Sequence, residues 1–447
     1  MSNRLDQLRI QSPKRTKSSQ TGWDGFFPYY AGFPESFANE IISSANLPDG
    51  SVILDPWNGS GTTTFAATTR AIHSIGVDLN PAMVVVAKAR LLAASEADSI
   101  EPLGQKIVEL ARACTEATNT DDPLNIWFGK GNAQTIRSIE RSICCHLVGS
   151  LTHSNGELHL DNLSSLAAAN LVALFSLCRG LAHKFRSTNP TWLRYPRTGE
   201  IRPRYNNETI YEGFLKNLQT MARALHARDK SKGHDITCPE IRIGDSTDIS
   251  LPANSIDLVL TSPPYCTRID YTAATRIELA ILHPITHLDV PELSRQMIGS
   301  TRVPLAKIEA DKAWGDTCSK FLTQLRAHPS KASSGYYYQT HLDYFQKMTG
   351  SIRKVSRSLK EEGLAIFVVQ DSYYKEIYND LPQMITEISE SQDLSLKRRD
   401  NFRISRTMAG LHPHSRNYEK PFGALEAVLC FQKLGADNGR SRKRATD

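Results

Sequence analysis

The sequence has no C-x-x-C pair. Its eight cysteines are scattered and only Cys144 and Cys145 are adjacent. That spacing argues against a zinc site or a disulfide framework and fits a reducing cytoplasm. No apolar run approaches the ~18 residues of a membrane span. The opening stretch MSNRLDQLRIQSPKRTKSSQ has no hydrophobic signal segment, so export is not expected. Internal repeats and low-complexity tracts are missing as well. What remains is ordinary soluble composition: 447 residues, 40% hydrophobic and 22% charged. Such a chain can build two or three domains, or one large domain with insertions.

The net charge is only +6, but it is unevenly spread. Between Arg179 and Lys232 stand twelve Lys/Arg against four acids, so this segment alone carries +8. Phe185, Trp192, Tyr195, Tyr205 and Tyr211 interleave with the cations. Localised positive charge with aromatics is the electrostatic footprint of a nucleic-acid surface. A solvated helical face beside an Arg-rich loop would give the same composition.

Residues 1–20 read as a disordered, basic N-terminus and 434–447 as a disordered, basic tail. ESFANEIISSANL (35–47) has helical spacing. SVILDPWNGSGTTTFAATTRA reads as strand, glycine loop and helix; HSIGVDLN is a second strand, and PAMVVVAKARLLAASEA a helix with Pro81 near its start. From 97 to 238 the pattern turns to helical segments broken by polar loops. The α/β alternation resumes with EIRIGDSTDI and IDLVLTSPPY, then a helix at about 340–360, the strand GLAIFVVQDS, a helix near 380–390 and a closing strand ALEAVLCFQK. The expected fold class is therefore α/β, a mostly parallel sheet with a large helical insertion between the second and third core strands.

Three acids stand at three successive strand ends. Asp55 precedes a glycine loop with Gly59 and Gly61, which lets the backbone approach a ligand. Position 64 is Thr, not the third glycine of a dinucleotide fingerprint, and no Lys follows as in a P-loop. Asp78 ends the next strand, placed to bind two ribose hydroxyls. Asp245 ends the third and could hold an amino group of a base. Such a set suits a cationic, nucleoside-containing ligand better than a pyrophosphate. In LVLTSPPYCTRIDY (258–271) a buried strand runs into Pro263-Pro264, which cannot donate ladder bonds and stiffen the turn.

Taken together, DPWNGSGTT, GVDLNP, GDSTDI and TSPPY resemble the S-adenosylmethionine-dependent amino methyltransferases of DNA, which modify cytosine N4 or adenine N6. The likeness covers roughly 23–95 and 240–435. It implies a Rossmann-like catalytic domain made of 21–96 and 239–433. FFPYYAGFPESFANEII (26–42) is similar to the element packed over the methionine end of the cofactor. The S-adenosyl-L-methionine site it implies comprises Tyr30, Phe33, Asp55, Pro56, Trp57, Asn58, Gly59, Gly61, Thr62, Thr63, Asp78, Asn80, Asp245 and Ser246. Trp57-Asn58 depart from the Phe-Cys or Phe-Met common in that family. Ser262, Pro263, Pro264 and Tyr265 would be the catalytic loop: the Ser262 side chain and Pro263 carbonyl accept from the target amine, and Tyr265 stacks on a flipped base. Cys266 is read as incidental, because no covalent enzyme–base intermediate is needed.

Ser before Pro-Pro leans, within the resemblance, towards cytosine N4, and Asp or Asn towards adenine N6. The partner implied is double-stranded DNA, with a cognate restriction or defence module as a further candidate. Since little follows the last strand, the insertion 97–238 is the expected target-recognition region. Its RSTNPTWLRYPRTGEIRPRYNNET offers Arg186, Arg194, Arg197, Arg202 and Arg204 for DNA contacts. MIGSTRVP (297–304) and RTMAGLHPHSRNYEKPFG (406–423) are secondary candidates. His412 and His414 lack partner ligands nearby, so no metal is expected. An RNA methyltransferase on the same scaffold and a non-catalytic DNA-binding relative are the rival classes; the intact SPPY and Asp78 argue against the second.

Overall fold

Val52-Ile53-Leu54 and Leu258-Val259-Leu260 are aliphatic runs that can be buried on both faces, and they become neighbouring central strands. The computed structural model describes residues 4–15, 27, 32–115, 120–148, 160–187, 192–227, 238–267, 270–404 and 423–435. Its strands are β1 (Val52–Asp55), β2 (His73–Asp78), β3 (Glu240–Ile243), β4 (Ile256–Thr261), β5 (Leu359–Gln370), β6 (Ser372–Tyr374), β7 (Ile377–Asn379), β8 (Leu394–Ile404) and β9 (Ala424–Lys433). Among the described residues the main sheet runs β3-β2-β1-β4-β5-β9-β8. The first five strands are parallel, and β9 is antiparallel to both its neighbours. This is a Rossmann-like α/β fold. Strand order reverses between β1 and β4, and the crevice beyond the carboxyl ends at such a reversal is where these sheets bind ligands.

Alternation along the strands divides the core into two layers. Ile53, Leu258, Leu260, Ile366 and Val368 face α2 (Glu35–Ser44) and α3 (Thr62–Thr68). Leu54, Val259, Ala365 and Phe367 point the other way, into a cluster with Phe345, Ile352 and Ile385. Those three come from two later helices, 338–358 and 381–391.

Between β2 and β3 stand α4 (Pro81–Arg90), α5 (Ala97–Ala113), α6 (Lys130–Ile143), α7 (Ser165–Leu181) and α8 (Asn207–His226). Helix α7, SLAAANLVALFSLCRGL, is apolar nearly all round and is the buried axis of this insertion. Ser164 caps it by accepting from the Ala167 N–H at 3.2 Å. The SPPY segment is followed by α9 (Tyr271–Ala274), α10 (Arg276–Thr286) and α11 (Val290–Gln296). Ile277 and Ile281 of α10 share one core with Leu171, Phe175 and Phe214 of the insertion. Arg137 of α6, 1% exposed, donates to the Ala280 and Ile281 carbonyls at 3.0 and 2.7 Å. The remaining helices are α12 (Gly315–Ala327), α13 (Tyr338–Ser358) and α14 (Leu381–Ser391). Among the described residues no helix is long and apolar enough to cross a membrane.

One expectation needs correction, and one strand was not foreseen. Part of 1–20 is packed: α1 (Arg4–Gln7) puts Leu5 and Leu8, 1% and 3% exposed, into the layer with Ile41 and Ile42. The Arg398 guanidinium donates to the Leu5 and Leu8 carbonyls at 3.2 and 2.8 Å. Two leucines three apart are enough to dock one turn, and the basic background hid them. Between the helix near 380–390 and the closing strand, where the sequence reading assigns no element, lies β8, LSLKRRDNFRI. It is the edge of the sheet, and charged residues there are what keep an edge from pairing with other chains.

Candidate active site

A cleft of about 980 Å³, open mouth included, lies over the carboxyl ends of β1, β2, β3 and β4. Its wall contains Phe33, Asp55, Pro56, Trp57, Asn58, Gly59, Thr62, Asp78, Asn80, Asp245 and Ser246, together with Ser262, Pro263, Pro264 and Tyr265. Gly61 and Thr63 are not on that wall. Gly61 has φ +76° and opens α3 where a Cβ would lie 2.8 Å from the Ala87 Cβ, so glycine is needed for close packing. Thr63 is fully buried, and its hydroxyl donates to the Leu260 carbonyl at 3.0 Å, tying α3 to β4. Tyr30 lies outside the described residues, as do His412 and His414.

The strand-end acids are held in position by neighbouring donors. Asp55 accepts from the Thr261 hydroxyl at 2.6 Å and from the Trp57 N–H at 3.2 Å. Asp78 accepts the Asn80 N–H on one oxygen and the Gly59 N–H on the other, both at 2.8 Å. Burial nevertheless pushes each carboxyl up to about 6, against those hydrogen bonds. Asp245 accepts the Thr247 N–H and hydroxyl on one oxygen, both at 2.8 Å. The indole of Trp57 donates to the Ser246 hydroxyl at 2.9 Å. Asn58 is 4% exposed, yet its Nδ2 has no hydrogen-bond partner among the described residues.

Opposite stands the SPPY loop, fixed by three hydrogen bonds. Ser262 Oγ donates to the Val368 carbonyl at 3.1 Å. The Pro264 carbonyl accepts from the Tyr344 hydroxyl at 2.8 Å, and the Tyr265 N–H donates to the Tyr271 hydroxyl at 3.1 Å. The Pro263 carbonyl receives no donor among the described residues. Burial raises both phenols, Tyr271 to about 12 and Tyr265 above the usual tyrosine range, so both stay neutral donors. Sequence reasoning missed Tyr271 and Tyr344. Tyr271 lies within TSPPYCTRIDYTAATR, so it was within reach, whereas Tyr344 sits on a helix 80 residues further on with nothing local to mark it. Thr275, Met297 and Ile298 also line the cleft.

The basic segment of the insertion comes close to this loop. Arg276, at the start of α10, stacks its guanidinium on Tyr195 at 4.5 Å and donates to the Leu193 carbonyl at 3.3 Å. Arg186, Arg197, Arg202 and Arg204 are exposed. Arg202 Nε donates to the Ile126 carbonyl at 3.0 Å. Arg194 differs from the other four: it is half-buried and bidentate on Glu200, at 2.7 and 2.8 Å, so its fork is already committed within the loop.

The residues fit the S-adenosylmethionine that the sequence resemblance implies. A buried and a half-buried carboxylate, each held by hydrogen-bond donors, suit a cationic ligand with paired hydroxyls, and the Asn58 amide offers a donor with no partner among the described residues. All eight cysteines are free, and the described residues contain no cluster of three or more side chains able to hold a metal.

Comparison with known proteins finds similarity to methyltransferases. Residues 4–89 match the N6/N4 DNA methylase family. The Type II methyltransferase M.BsoBI of Geobacillus stearothermophilus is 24% identical over 364 residues, spanning 78% of this chain and 68% of its own. The rRNA methyltransferase aviRa from Streptomyces viridochromogenes aligns over 94% of both chains at 13% identity, with a TM-score of 0.28, below that of a shared fold.

Proposed function

We propose that this chain, which belongs with the N6/N4 amino methyltransferases of DNA, transfers a methyl group to the N4 amine of a flipped-out cytosine in duplex DNA. S-adenosylmethionine supplies the electrophilic methyl group. The observation that carries the reading is the state of Ser262: its proton is engaged by the Val368 carbonyl, which leaves its oxygen as an acceptor. An exocyclic amine is a poor nucleophile because its lone pair is delocalised into the ring. Two fixed acceptors, Ser262 Oγ and the Pro263 carbonyl, would hold its two N–H groups and favour the pyramidal nitrogen. Because the loop is already locked by Tyr344, Tyr271 and Val368, this costs little reorganisation. The Tyr265 ring would stack on the base. Serine at this position supports cytosine over adenine.

The deciding experiment is incubation with labelled S-adenosylmethionine and unmodified duplex DNA, followed by mass spectrometry of the nucleosides. N4-methylcytosine is expected. N6-methyladenine would overturn the base assignment and keep the mechanism. Label found only in RNA would overturn the substrate class. Binding of both ligands with no transfer would make the chain a non-catalytic relative. The insertion at 97–238 is the proposed target-recognition region, the cytoplasm the proposed compartment, and a cognate restriction or defence module the proposed partner.

Cofactor binding should depend on pH in a definite direction. Ribose hydroxyls and a cationic ligand favour ionised Asp55 and Asp78, so binding lowers both pKa values from about 6. Affinity should therefore fall as pH drops below about 6, with proton release on binding near that pH. Calorimetry in buffers of different ionisation enthalpy reads both. Asp78→Ala should cost very roughly 1–3 kcal/mol of affinity and flatten the pH profile. Wild-type affinity unchanged from pH 8 to pH 5 would remove these acids from the cofactor site.

DNA affinity should reside largely in the exposed arginines. Neutralising Arg197, Arg202 and Arg204 together should weaken binding to every duplex and reduce the salt slope by roughly 0.9 for each phosphate no longer neutralised. A salt slope equal to that of the wild type would make these charges a solvated face.

A further inference from the structure

The segment between α11 and α12 leaves the cleft wall and returns to the core without forming a helix or strand until 312. Met297 and Ile298 line the cleft. The chain then turns at Gly299, φ +79°, where a Cβ would lie 3.0 Å from the Tyr265 carbonyl oxygen. Arg302 N–H donates to Ser300 Oγ at 3.1 Å, and the Tyr336 hydroxyl donates to the Thr301 carbonyl. At the far end Ile308, 8% exposed, enters the same apolar cluster as Ile298 and Cys266. Both feet of the loop are thus anchored, one of them against Tyr265.

Its tip is the opposite. Leu305 is 88% exposed, the most exposed large apolar side chain among the described residues, and Val303 is 41% exposed. A single exposed leucine needs no explanation in general. This one follows Pro304, which stiffens the tip, and is flanked by the exposed cations Arg302 and Lys307. Lys307 pairs with Glu309 at 3.4 Å, both largely exposed, a contact that would compete only weakly with a phosphate. An apolar tip between cations, on a segment whose foot at Gly299 lies against the Tyr265 backbone, has the chemistry of the wedges that proteins insert between base steps.

We propose that Leu305 is such a wedge: it enters the duplex at the target position, fills the space left by the extruded base and holds that base in the cleft. Arg302 and Lys307 would contact the phosphates on either side. The inference rests on the DNA-methyltransferase reading and adds to it the element that opens the helix.

The test uses the full chain with S-adenosylmethionine and two duplexes, one fully paired and one with an abasic site opposite the target. Leu305→Ala should lower turnover on the paired duplex on the order of tenfold or more, with unchanged thermal unfolding. On the abasic duplex, where extrusion is cheap, it should come within about threefold of wild type. Leu305→Phe should keep most activity on both. A fluorescent cytosine analogue at the target position should brighten with wild type and not with Leu305→Ala on paired DNA. Equal turnover of Leu305→Ala and wild type on paired DNA would overturn the wedge and leave the methyltransferase reading standing. An equal loss on both duplexes would make Leu305 a general contact and also overturn it. A wild-type protein that methylates neither duplex would overturn the reading and the wedge together.

Discussion

Ser262→Ala is expected to bind S-adenosylmethionine and DNA as the wild type does and to lose turnover on the order of a hundredfold or more. The hydroxyl is half-buried and already donates to Val368, so its oxygen is oriented before any base arrives. Removing it leaves one N–H of the amine without an acceptor in the transition state. The folded protein loses one hydrogen bond to a β5 carbonyl, about 1 kcal/mol, too little to unfold it. Single-turnover rates at saturating DNA separate the chemical step from binding, and melting confirms the fold. Full activity in Ser262→Ala would remove the loop from the chemistry. The same scheme predicts a milder loss for Tyr265→Phe than for Tyr265→Ala, since the ring face survives in the first.

The largest effect on stability is expected at Arg137, far from the cleft floor. Arg137 and Glu140 have side chains 1% and 3% exposed, and Asp122 is 7% exposed. The guanidinium reaches Asp122 at 3.0 Å, Glu140 at 3.0 Å and two α10 carbonyls. Arg137→Ala would leave two carboxylates buried without their cation, and loss of one partner from a buried pair costs about 3–5 kcal/mol. That is a large share of a typical folding free energy of about 5–15 kcal/mol. Burial already raises Glu140 above the usual carboxylate range, against the pull of Arg137. Without the arginine its pKa should rise further, so the deficit should shrink as pH falls and the group takes a proton. Urea titrations at pH 8 and pH 5 would show this. A loss under about 1 kcal/mol at both would mean that water replaces the guanidinium.

Much of the fold could be read from the sequence because its central strands are fully buried. Val52-Ile53-Leu54 and Leu258-Val259-Leu260 leave no doubt about period or boundary, and the acid or proline after each marks the strand's end. Burial was least legible where charge hides packing. Leu5 and Leu8 dock a basic stretch through two side chains, and β8 is a strand whose outer edge faces water. The site was legible where its parts sit at strand ends. It failed to be legible where a helix supplies one atom from a distance, as with the Tyr344 hydroxyl. Gly61 and Thr63 show the complementary case: they lie within the motif, but their own contacts are with Ala87 and Leu260, in the packing behind the wall. Arg194 was indistinguishable from its neighbours until its ion pair with Glu200 was seen.

The contact between Arg398 and the Leu5 and Leu8 carbonyls joins residues 393 and 390 positions apart. The Val52 N–H likewise waits for the Asp257 carboxylate, 205 residues later. A sheet closed by such distant partners is slow to form, because long loops must be ordered before any pairing rewards them. At about 5–20 residues per second of synthesis, β1 emerges tens of seconds before its neighbour β4. The insertion helices, which pack largely on one another, can assemble in that interval. The Leu5 and Leu8 carbonyls therefore meet the Arg398 guanidinium only after β8 has been made, which puts these hydrogen bonds among the last contacts to close.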